Sequence, residues 1–204
     1  FLSDNTLEKL SEERGTFQHS VDLDFDLLDE TKEKEVFEKI NQIIGTYGKI
    51  TESYIQNNNL KNVVSYEANT QQIKVEVNLR KFGSRYEMKT YLGISMLVMV
   101  QEDMFAHKLM AMIERVGKTS RDIFDVHYFA KNNWPINKKI VEERSGLSFK
   151  ETLEKAIKQL EEMDNKHILD GLGELLSDSQ KDSARAKLKS DTTFLLKVMH
   201  DNEK

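Results

Sequence analysis

Three aspartates stand at every second position in residues 20–27, SVDLDFDL. Strict alternation of polar and apolar residues marks a β-strand. Ser20, Asp22, Asp24 and Asp26 therefore share one face, and Val21, Leu23, Phe25 and Leu27 the other. Carboxylates this close repel one another unless they reach water, a cation or a basic partner. A pair at i and i+2 offers hard oxygen donors to Mg²⁺, which takes one or two carboxylates plus substrate phosphates. That donor set suits metal-assisted phosphoryl transfer. The pattern alone favours a solvated acidic sheet face over a site. Residues 72–80, QIKVEVNLR, alternate as cleanly, with Lys74, Glu76, Asn78 and Arg80 on one side. If this strand neighbours the first, Glu76 becomes a third carboxylate beside Asp22 and Asp24; otherwise it is an exposed strand residue.

A second group lies within residues 105–129. Lys108, Met112 and Arg115 share a helix face by their i, i+4, i+7 spacing, and Asp122 and Asp125 are one turn apart on the next helix. Two cations facing two carboxylates can be an ion-pair network that holds a helical hairpin. They can also be phosphate-gripping groups oriented by carboxylates. His107 and His127 stand alone and read as surface or packing residues, and the Met-rich stretch 88–112 reads as core.

The elements that must position these groups fall into two halves. After the acidic strand, residues 32–47 predict an amphipathic helix with Val36, Ile40, Ile43 and Ile44 inward. Asn57-Asn58-Asn59 marks a turn, and 61–67 and 72–80 predict strands joined by Ala68-Asn69-Thr70. One more strand is expected within 86–99. From residue 101 the pattern is helical: 101–116, stopped by Gly117; 121–132, with Ser120 as N-cap; a short helix opened by Pro135. A helix over 148–163 begins with the capping box Ser148/Glu151, and a last one covers 181–200. The expected class is α+β, with a core over 1–100 and a helical domain over 101–204.

Bulk properties narrow the function. A chain of 204 residues can bury a sizeable core. Its net charge of −5 argues against a protein that coats nucleic acid non-specifically. The absence of cysteine removes disulfides, thiolate metal sites and cysteine nucleophiles. There is no apolar run long enough for a membrane span and no secretory pattern at the mixed, polar start, so a cytoplasmic protein is expected. The chain opens on Phe1, and its native N-terminus is expected to lie upstream. There is no P-loop, HExxH, nucleophile elbow or dinucleotide-binding glycine pattern.

These residues together resemble the AbiEii/AbiGii-type nucleotidyltransferases, the toxin halves of type IV toxin–antitoxin (abortive infection) pairs. The resemblance runs over nearly the whole chain. Gln18-His19-Ser20-Val21-Asp22-Leu23-Asp24-Phe25 stands where that family has R-F-S-x-D-[LI]-D-F, and Lys74-Val75-Glu76-Val77 where it has K-[IV]-E-[IV]. Lys108-Leu109-Met110-Ala111, Arg115 and Arg121-Asp122-Ile123-Phe124-Asp125 match its most specific block, K-L-x-A, R, and R-D-[LIF]-x-D.

The resemblance implies a DNA polymerase beta-like core with a mixed β-sheet, followed by a helical C-terminal bundle. It implies that Asp22 and Asp24 hold Mg²⁺ and that Lys108 contacts a nucleoside triphosphate. An Asp of the 122/125 pair would assist the acceptor or orient the lysine. Ser20, Glu76, Arg115 and Arg121 would contribute to substrate binding. The implied partners are the nucleoside triphosphate, a tRNA 3′ end as acceptor in some members, and an antitoxin that acts without a stable complex. Two departures stand out. Ser3-Asp4-Asn5-Thr6 replaces the family's glycine turn, and Gln18 replaces its arginine. An aspartate side chain there would crowd and repel phosphates that glycine admits. A binding protein that keeps the fold without the chemistry is thus a second reading.

Overall fold

The computed structural model describes residues 22–67, 71–172 and 176–203. Its acidic strand β1 (Asp22–Asp26) pairs in parallel with β4 (Gln71–Asn78). The crossover between them consists of helix α1 (Glu33–Ile44) and strands β2 (Lys49–Gln56) and β3 (Asn59–Glu67). Sheet order is β1-β4-β3-β2, with the other two pairings antiparallel. Helix α1 covers one face. Val36, Phe37 and Ile40 pack on Leu27, Leu60 and Val77, and Ile44 packs with Val64 and Val75. Ile43, expected inside, is 48% exposed, and Phe37 takes the inward place. Positions 36, 37, 40 and 44 define a stripe that leaves position 43 on its flank. Under α1 the amide of fully buried Asn62 donates to Asn41 (2.9 Å) and Ser53 (3.0 Å).

Contacts divide the chain after Lys81. The second unit begins with a hairpin, β5 (Tyr86–Tyr91) and β6 (Ile94–Met99), where one strand was expected. Its turn residues Leu92 and Gly93 both have positive φ, +48° and +78°, as a type I′ turn requires. The helices are α2 (Gln101–Arg115), α3 (Arg121–Lys131), α4 (Lys138–Ser145), α5 (Phe149–Glu162), α6 (Asp178–Ser183) and α7 (Lys189–Asp201). Helix α2 packs on α3 and α4, and α7 on α3 and α5. Phe105 meets Phe129 edge-on at 5.5 Å, and Trp134 stacks on Phe129 at 4.3 Å.

Most predicted helix boundaries hold. Gly117 ends α2 with φ +80°, and Ser148/Glu151 form the capping box of α5. Three differ. Ser120 makes no cap bond; its hydroxyl donates to the carbonyl of His167 (3.0 Å), clamping a distant turn. Asn137, not Pro135, starts α4, by accepting from the amide of Ile140. The C-terminal helix is preceded by a π-helical segment, Ala184–Leu188. Among the described residues no helix is long and apolar enough to cross a membrane.

Two polar junctions tie the hairpin to the helices. Fully buried Asp103 on α2 accepts from the backbone amide, Nε and Nη2 of Arg85 and from Nδ2 of Asn137. Burial works to raise this carboxyl's pKa, but Arg85 and Asn137 hold it below its ordinary value of 3.8. Its contribution to stability is present above that ordinary value and lost as pH falls through the folded-state value. Asp103→Ala strands four N–H donors and is expected to cost about 2–4 kcal/mol in urea unfolding at pH 7. The deficit relative to wild type should shrink in acid. A deficit that grows in acid would contradict the assignment.

In the second junction Arg144 Nη1 lies 2.9 Å from His107 Nδ1, and Ser84 Oγ lies 2.7 Å from His107 Nε2. A guanidinium only donates, so Nδ1 accepts, and Nε2 carries the proton and donates to Ser84. His107 is therefore oriented against serving as a base for that serine.

Candidate active site

The face of the sheet opposite α1 carries the acidic residues. Parallel pairing places Asp22 beside Lys74, Asp24 beside Glu76 and Asp26 beside Asn78. Because side chains alternate with a period of two, this register puts Asp22, Asp24 and Glu76 on one face. Asn78 Nδ2 donates to Asp26 Oδ1 (2.8 Å), and Asn59 Nδ2 to Glu76 Oε1 (3.1 Å). Lys74 Nζ lies 2.8 Å from Glu76 Oε2 and 3.6 Å from Asp22 Oδ1. Burial raises the pKa of Glu76, but the ammonium of Lys74 and the amide of Asn59 outweigh it and leave the carboxyl below its usual range. The hydrogen bond to Glu76 raises Lys74, with the charges of Asp22 and Asp24 adding to it. Asp24 is exposed and Asp22 half-buried.

Among the described residues no group of three or more acidic or imidazole side chains converges as a ready metal cage. A pair is enough for Mg²⁺, which completes its shell with water and phosphate oxygens. Asp22 and Asp24 supply that donor type from alternate positions on one strand face. The ammonium already seated against Asp22 and Glu76 marks this face as a place where positive charge is stabilised.

The second unit holds the other candidate group. Asp122 and Asp125, one turn apart on α3, are both buried and face Lys108 on α2. Lys108 Nζ is 2.6 Å from Asp125 Oδ2 and 3.5 Å from Asp122 Oδ1. Arg115 Nη2, one helical stretch further along, donates to Asp122 Oδ1 at 2.9 Å. Asp122 Oδ2 lies 2.8 Å from the same nitrogen but without a directed hydrogen bond. Burial alone would lower Lys108, yet Asp125 and Asp122 raise it above its ordinary value, so it stays cationic. Burial pushes the Asp125 carboxyl up, against the pull of Lys108. A buried charge persists only when paired. The two aspartates thus fix an ammonium that retains 26% exposure, a fitting anchor for a phosphate oxygen.

The family model described as "Nucleotidyl transferase AbiEii toxin, Type IV TA system" matches residues 17–197. That span takes in both residue groups. The chain belongs to the AbiEii family. It is a nucleotidyltransferase of the toxin class of type IV toxin–antitoxin systems. No curated protein sequence matches it. Two crystal structures from Helicobacter pylori share the AbiEii chain's fold. One, described as a "putative nucleotidyltransferase", has 18% identity and a TM-score of 0.52, over 96% of this chain and 87% of its own. The other, JHP933, has 17% identity and a TM-score of 0.51, over 95% of this chain and 81% of its own. These establish the α+β nucleotidyltransferase fold.

Within this AbiEii chain, the structure brings Asp22, Asp24 and Glu76 onto one face, and Lys108, Arg115, Asp122 and Asp125 into one network. Arg121 takes the exposed first position of α3 and acts on Asp125 through its charge. Its stem lies near Gly171, whose φ of +75° and contact with Thr119 leave no room for a side chain. Ser20 and the Ser3–Thr6 segment lie outside the described residues. The sequence reading had Lys74 beside Glu76 on the strand's polar side but assigned it no role. The K-x-E spacing was the available signal. The Asp103 junction had none, because Arg85 and Asn137 are distant in sequence.

Proposed function

We propose that this AbiEii-family chain transfers a nucleoside monophosphate from a nucleoside triphosphate to an acceptor hydroxyl. The hydroxyl gives up its proton to solvent and its oxygen bonds to the α-phosphorus, as the bond from that phosphorus to the α,β-bridging oxygen breaks and pyrophosphate leaves. Asp22 and Asp24 would hold Mg²⁺. When bound, Mg²⁺ polarises phosphate oxygens and offsets the charge developing there. Glu76 flanks the pair. Lys108 is assigned to the triphosphate, with Asp125 and Asp122 fixing its ammonium, and Arg115 steadies Asp122. Of the two roles open to the aspartate pair, the 2.6 Å contact favours orienting the lysine.

The observation that carries the reading is the strand register that sets Asp24 beside Glu76 and seats a cation against the same face. The family resemblance supports a tRNA 3′ end as acceptor. It also supports an antitoxin that opposes the activity without a stable complex, and work inside the cytoplasm. Incubation with Mg²⁺, total RNA and each labelled nucleoside triphosphate in turn should place label on an RNA terminus with at least one of the four. Labelling of tRNA that fails when its terminal ribose has been oxidised by periodate beforehand would place the acceptor on that ribose. No incorporation with any nucleotide would defeat the proposal.

A further inference from the structure

Lys74 lies in the middle of the acidic face without belonging to the metal-ligand pair. It is the register partner of Asp22 and sits two residues before Glu76 on β4. Its ammonium contacts both carboxylates, at 3.6 and 2.8 Å. Lys61, the cation opposite Glu76 on β3, is engaged elsewhere, 2.7 Å from Glu52 on β2. Lys74 is therefore the cation in direct contact with Asp22 among the described residues. It is only one-third exposed, whereas the paired lysines Lys139, Lys158 and Lys166 reach much further into water.

We propose that Lys74 is an internal competitor for the divalent cation. Its ammonium neutralises the carboxylate face in the absence of metal, and it must withdraw from Asp22 for Mg²⁺ to bind there. The inference rests on the reading of Asp22 and Asp24 as metal ligands. Two positive groups held within a few ångströms of each other on a half-buried face repel, and they compete for the same oxygen lone pairs. A lysine has a flexible four-carbon stem, so the ammonium can leave without moving the strand. A triphosphate offers it a new set of anionic oxygens. Metal arriving with nucleotide is thereby favoured over metal arriving alone. The lysine would act as a positioning residue: it sets when the carboxylates are free, without touching the reacting atoms in the metal-free state.

The test is direct binding of Mn²⁺, followed by the electron paramagnetic resonance signal of the free ion. No nucleotide is present, and the full chain is used. Lys74→Met should bind Mn²⁺ about tenfold more tightly than wild type, because a neighbouring unit charge is removed from a partly shielded site. Lys74→Arg should stay near wild type, and Lys74→Gln, which keeps a hydrogen bond to Glu76, should follow Lys74→Met if that variant folds poorly. Equal or weaker binding by both neutral variants, with binding still abolished in Asp22→Ala/Asp24→Ala, would overturn the competitor role and leave the metal site standing. Binding that survives in the double aspartate variant would remove the metal reading and this inference together. Adding a nonhydrolysable nucleoside triphosphate should tighten Mn²⁺ binding more in wild type than in Lys74→Met. The reverse order would contradict the hand-over of the ammonium to phosphate.

Discussion

Asp22→Ala/Asp24→Ala is expected to lower nucleotidyl transfer about a thousandfold or more while leaving the protein folded. Three factors of ten correspond to about 4 kcal/mol of lost transition-state stabilisation, the scale on which a bound metal contributes. The structure makes the result interpretable because the two roles separate. Asp24 is exposed, and neither aspartate belongs to the hydrophobic clusters under α1. Removing them relieves repulsion with Asp26 and Glu76 on the same face, and Lys74 keeps its 2.8 Å contact with Glu76. Thermal melting should therefore be unchanged or slightly raised. Transfer that persists at near wild-type rate would sink the assignment of these carboxylates. A parallel collapse of melting temperature would show that the loss was structural.

Lys108→Met should have the largest effect on stability. Among the described residues it leaves Asp122 and Asp125 buried, with Arg115 as the contacting cation of Asp122 and none in contact with Asp125. Breaking a buried pair on one side costs about 3–5 kcal/mol. Urea unfolding at neutral pH should show a loss of that size. Burial raises the Asp125 carboxyl, so the unpaired aspartate would escape part of the penalty by taking up a proton. The deficit should then lessen as pH falls. Adding Asp125→Asn to Lys108→Met should recover much of the stability, since both charges are then gone. Transfer activity should stay low in both, because no ammonium is left for the triphosphate. Recovery of activity together with stability would reduce Lys108 to a structural ion-pair residue.

Much of the fold was legible where burial is one-sided. β4 alternates because Val75 and Val77 pack under α1 while its other face is polar. β1 alternates as strictly although Leu23 and Phe25 are 40% and 46% exposed. The polar residues of both could therefore be read off, and their shared face followed only if the strands were neighbours. α5 was readable from its cap to its last turn. β2 was missed because its burial pattern is almost uniformly exposed; an edge strand without a buried face leaves little periodicity. The hairpin at 86–99 was compressed into one strand because its turn, Leu92-Gly93, puts a large apolar residue where turn chemistry usually signals with Asn or Asp. Ser120 had the right type for an N-cap, but tertiary context redirected its hydroxyl to His167.

For the site, spacing found both residue groups but could not decide between ion-pair network and phosphate anchor. The structure shows the pairing in Lys108, Asp122 and Asp125 directly, and the partial exposure of the lysine leaves room for the second role. The contacts of Lys74 depend on which strand lies beside β4, and that is a property of topology, which no local pattern encodes.

The parallel pairing of β1 with β4 has an evolutionary consequence. Everything between these strands is crossover, so insertions and deletions can accumulate at the 57–58 turn without altering which carboxylates meet. A single residue lost or gained inside either strand is different. It shifts the phase of the pleat, turns the carboxylates toward α1 and brings Leu23 or Val75 onto the charged side. Descendants of this chain can thus drift in length and still keep the site, provided that drift stays in the turns and out of two short strands.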